Sequence, residues 1–124
     1  MIEKYYDSEK NILYVKNFGR LDFEAMKAYF LGLSEHVEQT RSLYVLEDAR
    51  AGDVHFNIKH ISDLSNVLSG VSTMYNHVHH AVLLENAKNV AYAMLINDGI
   101  NTGTYKLKVF FNKQEAEKWL SPNN

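Results

Sequence analysis

There is no cysteine among the 124 residues, which rules out disulfides, a thiolate nucleophile and any zinc site built on sulfur. Long apolar runs are missing too, and none approaches the roughly 20 residues that cross a bilayer as a helix. The opening, Met1-Ile2-Glu3-Lys4-Tyr5, has no basic segment leading into an apolar one. A signal peptide is therefore not expected, and the expected compartment is the cytoplasm. Neither sign of charge dominates: thirteen Lys and Arg stand against fifteen Asp and Glu, a formal net charge of −2. With no basic stripe interleaved with aromatics, nucleic acid is not an expected partner. Repeats, low-complexity tracts and linkers are absent as well. What remains is ordinary globular composition, 46% hydrophobic and 23% charged, in a length that suits one domain over 1–124.

The stretch 42–48, Ser-Leu-Tyr-Val-Leu-Glu-Asp, is an apolar run that ends on two carboxylates. It reads as a strand buried on both faces, opening into a loop from Ala49. Before it, 2–6 and 12–18 form β-like runs joined by a polar loop of hairpin length, and Gly19 breaks the second. Asp22 is placed to cap a helix in which Phe23, Met26, Phe30, Leu33 and Val37 make one apolar stripe. Leu21 and Met26 are spaced as a hydrophobic staple around that cap. Asn57 is a candidate cap for a second helix carrying Ile58, Ile61, Leu64 and Leu68, ended by Gly70. A strand over 80–85 follows, again finishing on an acid. Asn86 or Asn89 then opens a helix with Ala87, Val90, Ala91, Met94 and Leu95 on one face. Residues 105–111 alternate, with Tyr105, Leu107, Val109 and Phe111 facing one way and two lysines guarding the other as an edge. Asn112 and Glu115 resemble a capping box for a last helix that buries Ala116, Trp119 and Leu120 and stops at Pro122. Helices alternating with strands after a hairpin predict a mostly parallel α/β sheet of sequential β-α turns, with an extra N-terminal antiparallel strand.

The order of these segments, and above all Val45-Leu46-Glu47-Asp48, His80-Ala81-Val82-Leu83-Leu84 and the closing Val109-Phe110-Phe111 with Ala116-Glu117-Lys118-Trp119-Leu120, resembles the SpoIIAA-like, or STAS/Sec14-type, small bacterial domains. The resemblance spans nearly the whole chain and rests mostly on core positions, so it speaks to fold more than to activity. It implies helices on one face of the sheet, the other face needing cover from a helix, a partner or a ligand. In the anti-sigma-antagonist branch a serine in the loop after the strand equivalent to 42–48 is phosphorylated and switches partner binding. Here 49–59 holds neither Ser nor Thr, and Ser62 falls within the predicted second helix, so no such switch is expected. The Sec14 branch encloses a lipid, with additional helices for which this chain lacks the length.

Some clusters invite chemistry. In His77-x-His79-His80 a strand would put His77 and His79 on one face, as two ligands of a transition metal would need. A third would have to come from His55, His60 or Asp48, and the helical spacings that hold zinc are missing. A solvated turn is the more ordinary reading, and no metal is expected. Glu47-Asp48 and Glu85 end their strands, but Glu47 and Asp48 point to opposite faces and form no acid–base pair. Asp48 suits a cap or a partnership with Arg50. Gly99 to Gly103 follows a helix and precedes a strand, the reverse of a phosphate-binding loop. Tyr5, Tyr14, Tyr44 and Tyr105 fall on strands, where core and edge packing explains them, with a groove or dimer face as the sharper alternative.

Asp48, Arg50, His55 and Asn57 remain as the candidate partner-binding surface, against the plainer reading of a solvated loop with an N-cap. The resulting expectation is a non-enzymatic regulatory domain without a cofactor, binding a protein partner, itself a candidate homodimer. The alternative is a carrier or sensor of a small apolar ligand held between sheet and helices.

Overall fold

A computed structural model describes residues 1–121; Pro122, expected to stop the last helix, lies outside them, and that helix ends at Leu120. The elements run β1 (Ile2–Asp7), β2 (Ile12–Asp22), α1 (Phe23–Gly32), β3 (Ser42–His55), α2 (Ile61–Ser72), β4 (His77–Leu83), α3 (Ala87–Gly99), β5 (Tyr105–Phe110) and α4 (Lys113–Leu120), with short 3₁₀ turns at Leu33–His36 and Ile58–His60. The sheet order is sequential, β1-β2-β3-β4-β5. β1 is antiparallel to β2 and every later pair is parallel, as the alternation of strands and helices predicts.

Asparagine and aspartate start α1, α3 and α4 by occupying amides that have no partner within the helix. Asp22 Oδ1 accepts from the Ala25 amide at 2.8 Å, Asn86 Oδ1 from Asn89 at 2.8 Å and Asn112 Oδ1 from Glu115 at 2.9 Å. Helices α1, α2 and α3 cover one face of the sheet, where Met26, Phe30, Leu64, Leu68, Ala93 and Ile96 meet Leu13, Val15, Leu43, Val45, Val78 and Val82. The opposite face is covered by α4, whose Ala116 and Leu120 pack on Leu46, Ala81, Leu83 and Phe110, with Trp119 half-buried beside them. This last helix supplies the cover that the one-sided crossovers leave wanting.

Two expected breaks are continuous strand. Gly19 does not end β2: it takes a left-handed φ of +75°, open to glycine at no steric cost, and pairing runs on through it, with Gly19 opposite Gly52. Nor does β3 open into a loop at Ala49. Lys16 pairs with Asp48 but Phe18 pairs with Ala51, so β3 spends three residues where β2 spends two. That is a β-bulge, and it resets the alternation. Glu47 and Ala49 face the three-helix side; beyond the extra residue Gly52, Val54 and Phe56 do. A loop was expected because the period of two is lost there. β4 accompanies β3 only to the pair Asp48–Leu83. Residues 49–55 therefore project with a strand neighbour, β2, on one side alone.

Two faces differ from expectation. On α3 the buried residues are Asn89, Ala93 and Ile96, while Met94 and Leu95 are exposed. On β5, Tyr105 and Leu107 face the three-helix side, but the strand ends at Phe110, which is buried under α4. Phe111 is 66% exposed, not in line with Tyr105. Removing the Phe110 ring leaves a cavity, whereas removing that of Phe111 vacates only solvent-facing space. Urea unfolding should therefore show a loss of about 3–5 kcal/mol for Phe110→Ala and no more than about 0.5 kcal/mol for Phe111→Ser. Equal losses would contradict this phase.

Candidate functional site

Four parallel strands each send one polar side chain to a single buried row. The β4 partner of Tyr105 is Val78, two residues before His80; the β3 partner of His80 is Val45, two before Glu47. The β2 partner of Glu47 is Val15, two before Asn17. Tyr105, His80, Glu47 and Asn17 thus form a diagonal across the sheet, and each touches the next. Tyr105 Oη lies 2.6 Å from His80 Nδ1, and His80 Nε2 lies 2.7 Å from Glu47 Oε1. Asn17 Nδ2 donates to Glu47 Oε2 at 2.5 Å. From α1, Tyr29 donates its hydroxyl to Glu47 Oε1 at 2.8 Å. All five side chains are buried.

Burial, followed by the charge of Glu47, pushes both the Tyr29 and the Tyr105 hydroxyls well above the usual phenol range. Both stay protonated and able to donate. A carboxylate offers about four acceptor positions. Tyr29, Asn17 and, with its proton on Nε2, His80 occupy three of those on Glu47. Asn17 Oδ1, in the same row, is buried without a hydrogen-bond partner.

Beside Glu47 and His80 lies a cavity of about 60 Å³ between the sheet and the helices. Its wall is otherwise almost all carbon, drawn from Leu21, Phe30 and Val82 among others, with Asn89 and Tyr92 of α3 as the further polar side chains. Asn89 is 7% exposed, and among the described residues its side chain has no hydrogen bond. The projecting part of β3 forms one wall through Ala49, Gly52, Val54 and Phe56. Phe56 stacks on Tyr92 of α3 with ring centroids 5.6 Å apart, and Lys88 Nζ donates to the Val54 carbonyl at 3.3 Å. Those two contacts join ribbon to helix.

The four residues expected at a partner surface lie along this ribbon and its exit rather than in a loop. Asp48 holds Arg50 in a forked pair, accepting from Nε and Nη2 at 2.9 Å each. That hydrogen bonding holds the Asp48 carboxyl below its usual range. His55 Nε2 pairs with Asp53 Oδ2 at 2.6 Å, and Asn57 accepts from the Lys59 amide as a 3₁₀ cap. Glu47, read as a strand-end acid, is instead internal to β3, and Glu85 is exposed.

The histidines do not form a solvated turn; they open β4. His77 and His79 share the α4 face as expected, with His79 stacked on Trp119 at 5.1 Å and the Tyr44 hydroxyl 3.0 Å from His77 Nε2. Burial, then His77 and Lys106, push the His79 imidazole below its usual value. His80 points to the opposite face and is wholly buried. Among the described residues no three metal-ligating side chains converge. The buried row was missed although a signal existed: His80 is in phase with Val78 and Val82, and Glu47 with Val45 and Ala49.

No family model matches the chain, and no curated protein does. Solved structures do. An uncharacterised DUF3478-family protein with a SpoIIAA-like fold from Shewanella loihica PV-4 superposes with a TM-score of 0.61 at 18% identity, covering 97% of this chain and 92% of that one. The anti-sigma factor antagonist SpoIIAA in its unphosphorylated form gives 0.54 at 8% identity, covering 93% and 92%. The phosphorylated Bacillus cell fate determinant SpoIIAA gives 0.50 at 10% identity, covering 97% and 99%. Identities this low speak to architecture and nothing finer. In its sheet order, its antiparallel first strand and its crossover helices, this chain has the SpoIIAA-like fold.

Proposed function

We propose that the chain is a non-catalytic regulatory domain that docks a protein partner on the projecting end of β3, through Asp48, Arg50, His55 and Asn57. The observation that carries this reading is the exposed edge: from Ala49 onward β3 pairs with β2 but with no strand on its other side. Unpaired strand backbone accepts an extended segment readily, and flanking charges select which one. The charged side chains are already paired with one another, so the edge is held in shape before any partner arrives. A shared fold with a protein named as an anti-sigma factor antagonist supports a protein as the class of partner. A second reading, a carrier or sensor of a small apolar ligand, is supported by the cavity behind the same ribbon.

A non-catalytic role is favoured by where the acid and base groups sit. Glu47 and His80 hold each other and two tyrosines deep in the fold, which suits a structural tie. Breaking a buried pair costs about 3–5 kcal/mol because the survivor is left unpaired, while replacing both partners costs less. Denaturant unfolding should show His80→Leu destabilised by about that much. The Glu47→Leu/His80→Leu double variant should lose less than the sum of the two single losses; additive losses would refute the tie.

The Asp48–Arg50 pair makes a smaller, pH-dependent contribution. The folded pKa of Asp48 is lowered, so its contribution is present above the unfolded value of about 3.9 and disappears as pH falls through the lower folded value. Asp48→Asn should therefore cost under about 1 kcal/mol at pH 7, the usual range for a partly exposed pair. The variant should match the parent in melts at acid pH; a loss that persists there would assign another role to Asp48.

The docking surface itself is tested by capture. The immobilised chain is exposed to native lysate of its source, alongside Arg50→Glu. Charge reversal at an exposed position leaves the fold standing, so at least one captured protein should fall by tenfold or more. Equal capture by both forms would overturn this surface.

A further inference from the structure

The outermost strands of the sheet, β1 and β5, carry edges of opposite charge. Met1 and Phe18 exchange two hydrogen bonds, at 2.7 and 3.0 Å, and successive residues of a strand present their backbone groups alternate ways. Ile2, Lys4 and Tyr6 therefore turn their N–H and C=O groups outward from β1. On β5 the Thr104 and Phe110 carbonyls accept from the Val78 and Leu84 amides, so Tyr105, Leu107 and Val109 are the residues that turn theirs outward. One of these groups is already engaged: the Leu107 N–H donates to Asn97 Oδ1 at 3.0 Å.

Side chains sort the same edges by face. On the α4 side, where Tyr5 stacks on Tyr14 and Lys108 lies over the Phe110 ring, β1 carries Glu3, Tyr5 and Asp7 and β5 carries Lys106 and Lys108. On the three-helix side Ile2 and Tyr6 of β1 and Tyr105, Leu107 and Val109 of β5 pack into the core, with Lys4 over the Tyr29 ring. Neither edge suits its own copy. In the two fullest antiparallel overlaps of β5 with itself, Lys106 meets Lys108 or Lys108 meets Lys108. For β1, Glu3 meets Asp7 or Lys4 meets Lys4. Like charges directly opposite one another destabilise a pair of strands.

β1 against β5 reverses the sign. With Ile2 opposite Val109, Glu3 falls opposite Lys108, Tyr5 opposite Lys106 and Tyr6 opposite Tyr105. Lys4 then comes opposite Leu107, in a groove that Asp98 also lines. We propose that β1 of one copy docks antiparallel on β5 of the next, so that the chain assembles head to tail into an open row with one continuous sheet. Such a contact uses different patches on the two copies and leaves a free edge at each end, so growth has no built-in stop. Because the Leu107 amide exchanges Asn97 for a strand partner, the gain per contact is small and assembly needs high concentration. The β3 surface takes no part in it.

Sedimentation equilibrium of the full chain at low ionic strength tests this. The average mass should climb with concentration up to about 1 mM, pass the dimer without a plateau, and fall as salt screens the Glu3–Lys108 pair. Glu3→Lys and Lys108→Glu, both at exposed positions, should each weaken association about fivefold or more, the swing from an attractive to a repulsive cross-strand pair. An equimolar mixture of the two variants should recover it, because each edge then meets its opposite. Arg50→Glu, on the separate β3 edge, should leave the masses unchanged. A monomer at every concentration, a mass that stops at the dimer, or single variants that do not recover on mixing would overturn the proposal. Weakening by Arg50→Glu with no effect of the other two would do so as well, by assigning association to β3.

Discussion

The fold turns on the burial of one carboxylate. Glu47 lies in the middle of the central strand, within a core where an unsatisfied charge would be untenable. Its presence dictates the company around it: a hydroxyl from α1, an amide from β2 and an imidazole from β4, itself held by a phenol from β5. Apart from the Tyr29 hydroxyl, each of these groups sits at a fixed step along its own strand, so the hydrogen bonds also fix how the strands are aligned. Hydrophobic burial forbids a slip of one residue but leaves a slip of two with the same faces buried. A row of polar bonds across four strands makes the register of the parallel sheet a matter of geometry as well as of burial.

Much of this architecture is legible in the chain. The stripe from Phe23 to Leu33 behind Asp22 marks α1 because the period of 3.6 and the cap agree. The strand–helix alternation gives the sheet its direction for the same reason: local pattern and global topology coincide. What is hidden is hidden by departures from a single period. Gly19 and the extra residue after Ala49 interrupt the alternation of strands that in fact continue, and a reader of periods sees loops. On α3 the exposed Met94 and Leu95 outcompete Asn89 in any hydrophobic count, although it is Asn89 that lies inside.

The candidate site is less legible because its members are far apart in sequence and ordinary when taken singly. His80 looks like one of a surface cluster and Glu47 like the acid that ends a strand; only the pairing of strands brings them to 2.7 Å. Asp48 and Arg50, by contrast, are two residues apart, and their partnership is visible without a fold. The ribbon puts these two classes back to back. Its outer side carries the Asp48–Arg50 and Asp53–His55 pairs, and its inner side walls the apolar cavity beside the buried acid.

The bulge that flips the ribbon's phase also governs how this segment can vary in length. Excision of any one residue between Asp48 and Gly52 would remove the bulge and restore strict alternation, leaving Val54 inward and Asp53 and His55 outward. Excision of two would carry Asp53 and His55 indoors and turn Val54 out to water. The segment can therefore shed its one extra residue without exchanging wet and dry faces, a parity rule imposed on a stretch that reads, to the eye, like freely variable loop.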